Sequence, residues 1–349
     1  MIAADAIAQL HPAYFALVMA TGIVSLACKL MGWDRLASGL FVLNLVFYPA
    51  LWAMTFVRLI RFRDRMLADL THHGRAVGFF TMVAATCVLG SDCLVVGGSP
   101  RAAGVLWVLG VVLWATLTYA ILSILTVIRD QPPLAEGLNG GWLVVVVAAQ
   151  SVAVLGAQLL PTMAAHLRAS VALYCLAMWL GGGMLYIWII GLIFYRYTFA
   201  PMSPSDLAPP YWINMGAAAI STLAGAHLIA AAPDAPLLQQ VLPFTIGFML
   251  MWWATASWWI PMLFVLGVWR HVFRKFPLKY DPLYWGAVFP LGMYTVATIR
   301  LSAAIRAPEL LHIPRVSVYV ALLAWTAAAL GLGTRLARRL LSGRSPGRS

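Results

Sequence analysis

Charge is scarce in this 349-residue chain, negative charge most of all: 11 Asp and Glu stand against 23 Lys and Arg. So few carboxylates leave little material for a paired-carboxylate catalytic site or a carboxylate proton relay. Catalytic signatures are missing as well, with no GxSxG, HExxH or phosphate-binding P-loop. The chain therefore reads as a non-enzyme. The four cysteines, Cys28, Cys87, Cys93 and Cys175, form no CxxC pair. Each lies in or at the end of an apolar run, so all four are expected to pack as small hydrophobes. The histidines, including His72 and His73, are too scattered or interfacial for a metal set. No metal or cofactor is expected. No basic stretch precedes the first apolar run, which reads as a retained helix and not as a cleaved leader.

What the chain has is apolar length. Hydrophobic residues make up 62% of it, and the mean hydropathy is +0.88. A soluble domain of this size cannot hide that much apolar surface. Ten spans suit a bilayer: about 12–31, 36–57, 76–97, 102–128, 141–161, 169–195, 211–232, 244–269, 283–305 and 316–334. The connections are short and marked by "GGSP", "QPP", "APMSPSDLAPP" and "PDAP". The fold class is thus an all-α integral membrane protein of ten transmembrane helices. It forms one domain over 1–341, followed by a disordered basic tail at 342–349. The net charge of +12 reflects Lys and Arg in loops and at the C-terminal end. That pattern fits positive-inside topology and excludes nucleic acid as the partner. With both termini cytoplasmic, the inside segments hold 16 of the 23 basic residues, including Arg58 to Arg75. A plasma-membrane location, multi-pass, is expected.

The spans are not alike. Of the 15 tryptophans, 11 fall in even-numbered spans, whereas odd spans read "MATGIVS", "FFTMVAATC", "NMGAAAISTLAGAH". Bulky aromatics suit lipid and interface contact; small residues suit close packing or a polar lumen. Two arrangements remain open on spacing alone: five hairpins with five inner helices round a central path, or a solid bundle.

Several polar residues inside the odd spans need partners. They are Thr21 and Ser25 beside Gly22, Gln150 and Ser151, Asn214, Thr222 and His227, and Thr295, Thr298 and Arg300. Thr21 and Ser25 are four apart and share a helix face. Hydroxyls so placed either replace part of an anion's water shell or bond to their own backbone. Asp92 in "GSDC" reads as a helix-end or interhelical partner. Arg300 closes "FPLGMYTVATIR", a span broken by Pro290. Intramembrane arginine is costly, so it faces a water-filled mouth or snorkels to headgroups.

Three segments carry a resemblance: "HPAYFALVMATGIVSLA" (11–27), "PPYWINMGAAAISTLAGAH" (209–227) and "YWGAVFPLGMYTVAT" (284–298). They resemble the signature helices of the tellurite-resistance/dicarboxylate transporter family, which includes malic-acid transporters, sulfite exporters and plant slow anion channels. The likeness extends over nearly the whole chain. It implies five helical hairpins round a pore in each protomer, usually in a homotrimer. It implies transport of a small anion, C4-dicarboxylates such as malate or succinate first, inorganic anions or sulfite as the alternative. An integral-membrane enzyme stays as a third possibility. The family's channel members plug the pore with a phenylalanine on the ninth helix beside a proline. The matching residues are Phe289 and Pro290. The alternative reading is that Phe289 packs a core.

Overall fold

The computed structural model describes residues 7–342, so the expected disordered tail at 342–349 lies, save its first residue, outside the described residues. Ten helices are long and apolar enough to cross a membrane: α1 (Pro12–Leu30), α2 (Asp34–Arg61), α3 (His73–Val95), α4 (Pro100–Val127), α5 (Gly140–Thr162), α6 (Ala165–Phe199), α7 (Pro209–Ala230), α8 (Leu242–Phe273), α9 (Pro282–Ile305) and α10 (Pro308–Arg338). Among the described residues there is no strand. The last helix begins earlier than its apolar run, because Pro308 starts a turn that leads straight into it.

Odd and even helices differ in burial. In the odd helices 67–94% of the most apolar window is buried, in the even ones 17–39%. Each odd helix packs against the next: α1 on α3, α3 on α5, α5 on α7, α7 on α9, and α9 back on α1. Each also packs against the even helix that follows it. Close approach within the inner set depends on missing side chains. A Cβ at Gly216 of α7 would lie 2.6 Å from Pro290 Cγ of α9, and one at Gly292 2.8 Å from Ile23 of α1.

Four of the five odd helices begin with a tight 3-10 turn, Pro12–Phe15, Gly140–Leu143, Pro209–Trp212 and Pro282–Tyr284, and α3 carries one at Val77–Phe79 after a first turn at His73–Ala76. Pro at the first position has no N–H to leave unsatisfied. Side chains cap several of these starts. His11 Nδ1 accepts from Ala13 N–H at 3.1 Å, Asn139 Oδ1 from Gly141 N–H at 2.8 Å, and Asp281 Oδ1 from Leu283 N–H at 2.8 Å.

The tryptophans require a correction. Those of the even helices were expected to face lipid, yet several turn inward. Trp107 donates to Val152 O, Trp179 to Ser221 O, Trp253 to Thr298 Oγ1 and Trp325 to Thr21 Oγ1, at 2.8–3.1 Å. Trp179 and Trp252 are fully buried, while Trp188 and Trp258 stay exposed. An indole N–H in hydrocarbon needs an acceptor, and the hydroxyls and carbonyls of the inner helices supply it for these four, whereas Trp52, Trp114 and Trp252 find none among the described residues. Part of the basic charge is likewise structural. Arg58 and Arg75 both pair with Asp69, at 2.7 and 2.5 Å, and Arg196 and Arg270 bond to the loop carbonyls Ala135 O and Leu207 O. The four cysteines are buried and unpaired.

Candidate functional site: two cavities on one axis

Two cavities are each lined by all five odd helices. The first gathers the helix starts: His11 and Ala16, Gly74 and Thr81, Asn139 and Val144, Pro210 and Ile213, Leu283 and Gly286. It offers about 80 Å³ of water-sized space. The second gathers their far halves: Ile23, Val88, Ser91, Ser151, Gln158, Ile220, His227, Met293 and Arg300 among others. It holds only about 20 Å³, room for roughly one water.

The spacing between them is regular. Ala16 and Ile23, Thr81 and Val88, Val144 and Ser151, Ile213 and Ile220, Gly286 and Met293 pair across the gap. Each pair is seven residues apart, two helical turns, or about 10 Å along the axis. A septum of that depth separates the cavities. The positions one turn in from Gly286 and Met293 belong to Phe289 and Pro290. On the other helices the same level carries Met19 and Ala20, Ala84 and Ala85, Val147 and Ala148, Gly216 and Ala217. Every one is buried, Phe289 at 1% exposure. Phe289 is the largest side chain at this level, where the other helices carry mostly small residues.

Electrostatics differ at the two ends. The first cavity receives five helix N-termini. Each carries about half a positive charge, which favours anions, although side chains already cap one N–H at four of the starts. His11 at this mouth has its pKa lowered to about 4, by burial first and by the Arg75 charge second. It is therefore neutral at physiological pH, as its role of acceptor from Ala13 N–H requires. The second cavity lies toward the helix C-termini, whose partial charge is negative. Arg300, which makes no hydrogen bond or ion pair among the described residues, supplies a positive charge there. His227 shares a 3.0 Å hydrogen bond with Gln158 Nε2, and Ser91 Oγ donates to Gln158 Oε1 at 2.8 Å.

Of the polar residues singled out in the sequence, Ser151, His227 and Arg300 line the second cavity. The others do not line either cavity; their bonds run elsewhere. Ser25 donates to Ala37 O of α2, and Thr21 accepts from Trp325 of α10. Gln150 donates to Trp179 O of α6, and Asn214 to the Tyr197 hydroxyl. Thr222 bonds back to Ala218 O. Thr295 meets Ser317 of α10, and Thr298 accepts from Trp253 of α8. Gly22 gives room for α3 and α2, since a Cβ there would lie 2.6 Å from Val88 and 2.8 Å from Asp92 and Asn44. Asp92 accepts from Asn44 Nδ2 at 3.3 Å, an interhelical bond at zero exposure. The sequence reading missed Gln158 and Ser91. Gln158 lies seven residues past Ser151, a same-face spacing that was available to find it.

A family model described as a voltage-dependent anion channel, SLAC1, matches residues 9–332. The chain belongs to this family. An uncharacterized transporter of Methanocaldococcus jannaschii is 26% identical over 299 residues, 84% of each chain. A sulfite efflux pump of Trichophyton rubrum is 25% identical over 327 residues, covering 87% of this chain and 84% of the pump. An uncharacterized membrane protein of Mycobacterium tuberculosis is 40% identical over 162 residues, 46% of this chain and 82% of the relative. The membership supports anion transport as the general activity and agrees with the tellurite-resistance/dicarboxylate resemblance.

Proposed function

We propose that this protein passes small anions along the axis joining its two cavities, with Phe289 as the constriction and Pro290 fixing the ring's angle. One observation carries the reading: five helix N-termini converge on one cavity, and a single free guanidinium, Arg300, lines the other. Anions are drawn to both ends, while the septum between them carries no charged group to trap them. An apolar ring in a narrow lumen excludes water and closes the path. The sequence reading ranked C4-dicarboxylates first. The narrow outer cavity with one cationic centre favours compact anions instead, and relatives named as sulfite efflux pumps agree with that preference. Malate and succinate stand as the second class, on the family resemblance.

The experiment is a proteoliposome uptake panel of sulfite, nitrate, chloride, malate and succinate, with and without a pH gradient. Uptake of compact anions above that of the C4 acids is expected. Uptake of none, with the protein folded, refutes transport and returns the integral-membrane enzyme to consideration. The pore lies within each protomer of a plasma-membrane homotrimer, and both termini are cytoplasmic. Arg63→Cys in a cysteine-free background tests the orientation. Rapid labelling of whole cells by an impermeant thiol reagent would overturn it.

A further inference from the structure

A third cavity, of about 430 Å³, opens beside the cavity of the helix starts. Its size falls within the range of small-molecule sites, about 300–1,000 Å³. Two kinds of surface meet in it. Leu51 and Met54 of α2 and Leu332 and Leu336 of α10 form apolar walls. Both helices are outer ones, with only 22% and 17% of their apolar windows buried, so these walls continue the surface that hydrocarbon covers. Arg335, also on α10, adds a guanidinium that is half-buried and makes no hydrogen bond or ion pair among the described residues.

The other charged groups of the cavity are already engaged. Arg75 is held by Asp69. Asp281 caps the start of α9 through Leu283 N–H. His11 is neutral and accepts from Ala13 N–H. Asp281 keeps its negative charge while capping, and Arg75 shares Asp69 with Arg58, so Arg335, Arg75 and Arg58 against Asp69 and Asp281 leave a net charge of +1 at the end of an apolar crevice, at the level of the helix ends where headgroups lie.

We infer that this crevice binds an anionic phospholipid, its phosphate on Arg335 and an acyl chain between α2 and α10. A water-soluble anion would gain nothing from the leucine walls, and a zwitterionic lipid, which carries no net charge, would gain less than an anionic one from a site whose net charge is positive. The site also adjoins the transport path. His11 and Leu283 line both this crevice and the cavity of the helix starts, so an occupant bears on the wall shared with that mouth. Lipid binding itself does not depend on the transport reading.

The test is thermal melting of the detergent-purified full chain titrated with phosphatidylglycerol or phosphatidylcholine. Phosphatidylglycerol is expected to raise the melting temperature saturably and phosphatidylcholine to have little effect. Arg335→Gln should weaken half-saturation about fivefold, the weight of one arginine near an anionic headgroup, with the lipid-free melt unchanged. Leu336→Trp, which fills the crevice, should abolish the response while Arg335 stays in place. Equal responses to the two lipids, an unshifted midpoint in Arg335→Gln, or the same stabilisation by inorganic phosphate would each overturn the assignment.

Discussion

Replacing Phe289 by alanine separates a gate from a core residue. The side chain is 1% exposed, so in a sealed core its removal costs the transfer of the ring plus a lasting cavity, about 3–5 kcal/mol together. On the gate reading, Phe289, which shares a helix face with Met293 and Arg300, stands between the two cavities. Removing the ring there joins the cavities, and water fills the gap. The cavity contribution then vanishes and the cost falls toward the transfer part alone, about 1.5–3 kcal/mol. Flux moves in opposite directions under the two views. A gate mutant leaks: nitrate or chloride efflux from proteoliposomes rises well above wild type. A core mutant only weakens the fold. The assay is paired, with ion-selective efflux and a detergent melting curve on the same preparations of wild type, Phe289→Ala and Phe289→Leu. Leucine should keep most of the seal. A Phe289→Ala protein with the larger stability loss and no gain in efflux would refute the gate.

Arg300→Gln should reduce anion flux and flatten its dependence on ionic strength, because the charge lining the second cavity is lost; unchanged flux across the salt range would mean that the guanidinium serves the lipid headgroups. His11 carries a pH signature of its own. Its folded pKa, about 4, lies below the value near 6.5 of an exposed histidine, so the unfolded chain binds more protons between those values. Stability contributed by the neutral ring is complete above pH 6.5 and is lost as pH falls toward 4. His11→Gln should flatten melting temperature against pH in that window, and an unaltered slope would contradict the assignment.

Ten helices were legible because apolar length is a one-dimensional property. Helix partners were not, because they depend on which face a residue occupies. In α9 the cavity-lining residues Met293, Val296 and Arg300 follow the three- and four-residue steps of one face. Phe289, eleven residues before Arg300, shares that face, since three turns take about 10.8 residues. Thr295 and Thr298 do not, and they bond to Ser317 and Trp253 of outer helices. Reading Thr295, Thr298 and Arg300 as one polar run joined two faces of a helix. The same arithmetic groups Ser151 with Gln158 and turns Thr21 and Ser25 away from Ile23. The inward turn of the tryptophans was hidden for a related reason. Composition says that an indole suits an interface, and only the fold says which neighbour offers the acceptor.

The five aligned inner helices have an electrical consequence. All run the same way, so their N-terminal partial charges gather at one end of the axis, while the oppositely directed outer helices lie farther from it. The proposed conduction path is therefore a biased element. On the proposed path, an anion at the side of the helix starts faces five N-termini, and one in the other cavity faces Arg300, the only charged side chain lining it among the described residues. With every molecule inserted the same way, current should rectify, and the sign of that rectification would report the orientation of the protein without any label. Neutralising Arg300 should deepen the asymmetry, because the charge that lines the far cavity is gone.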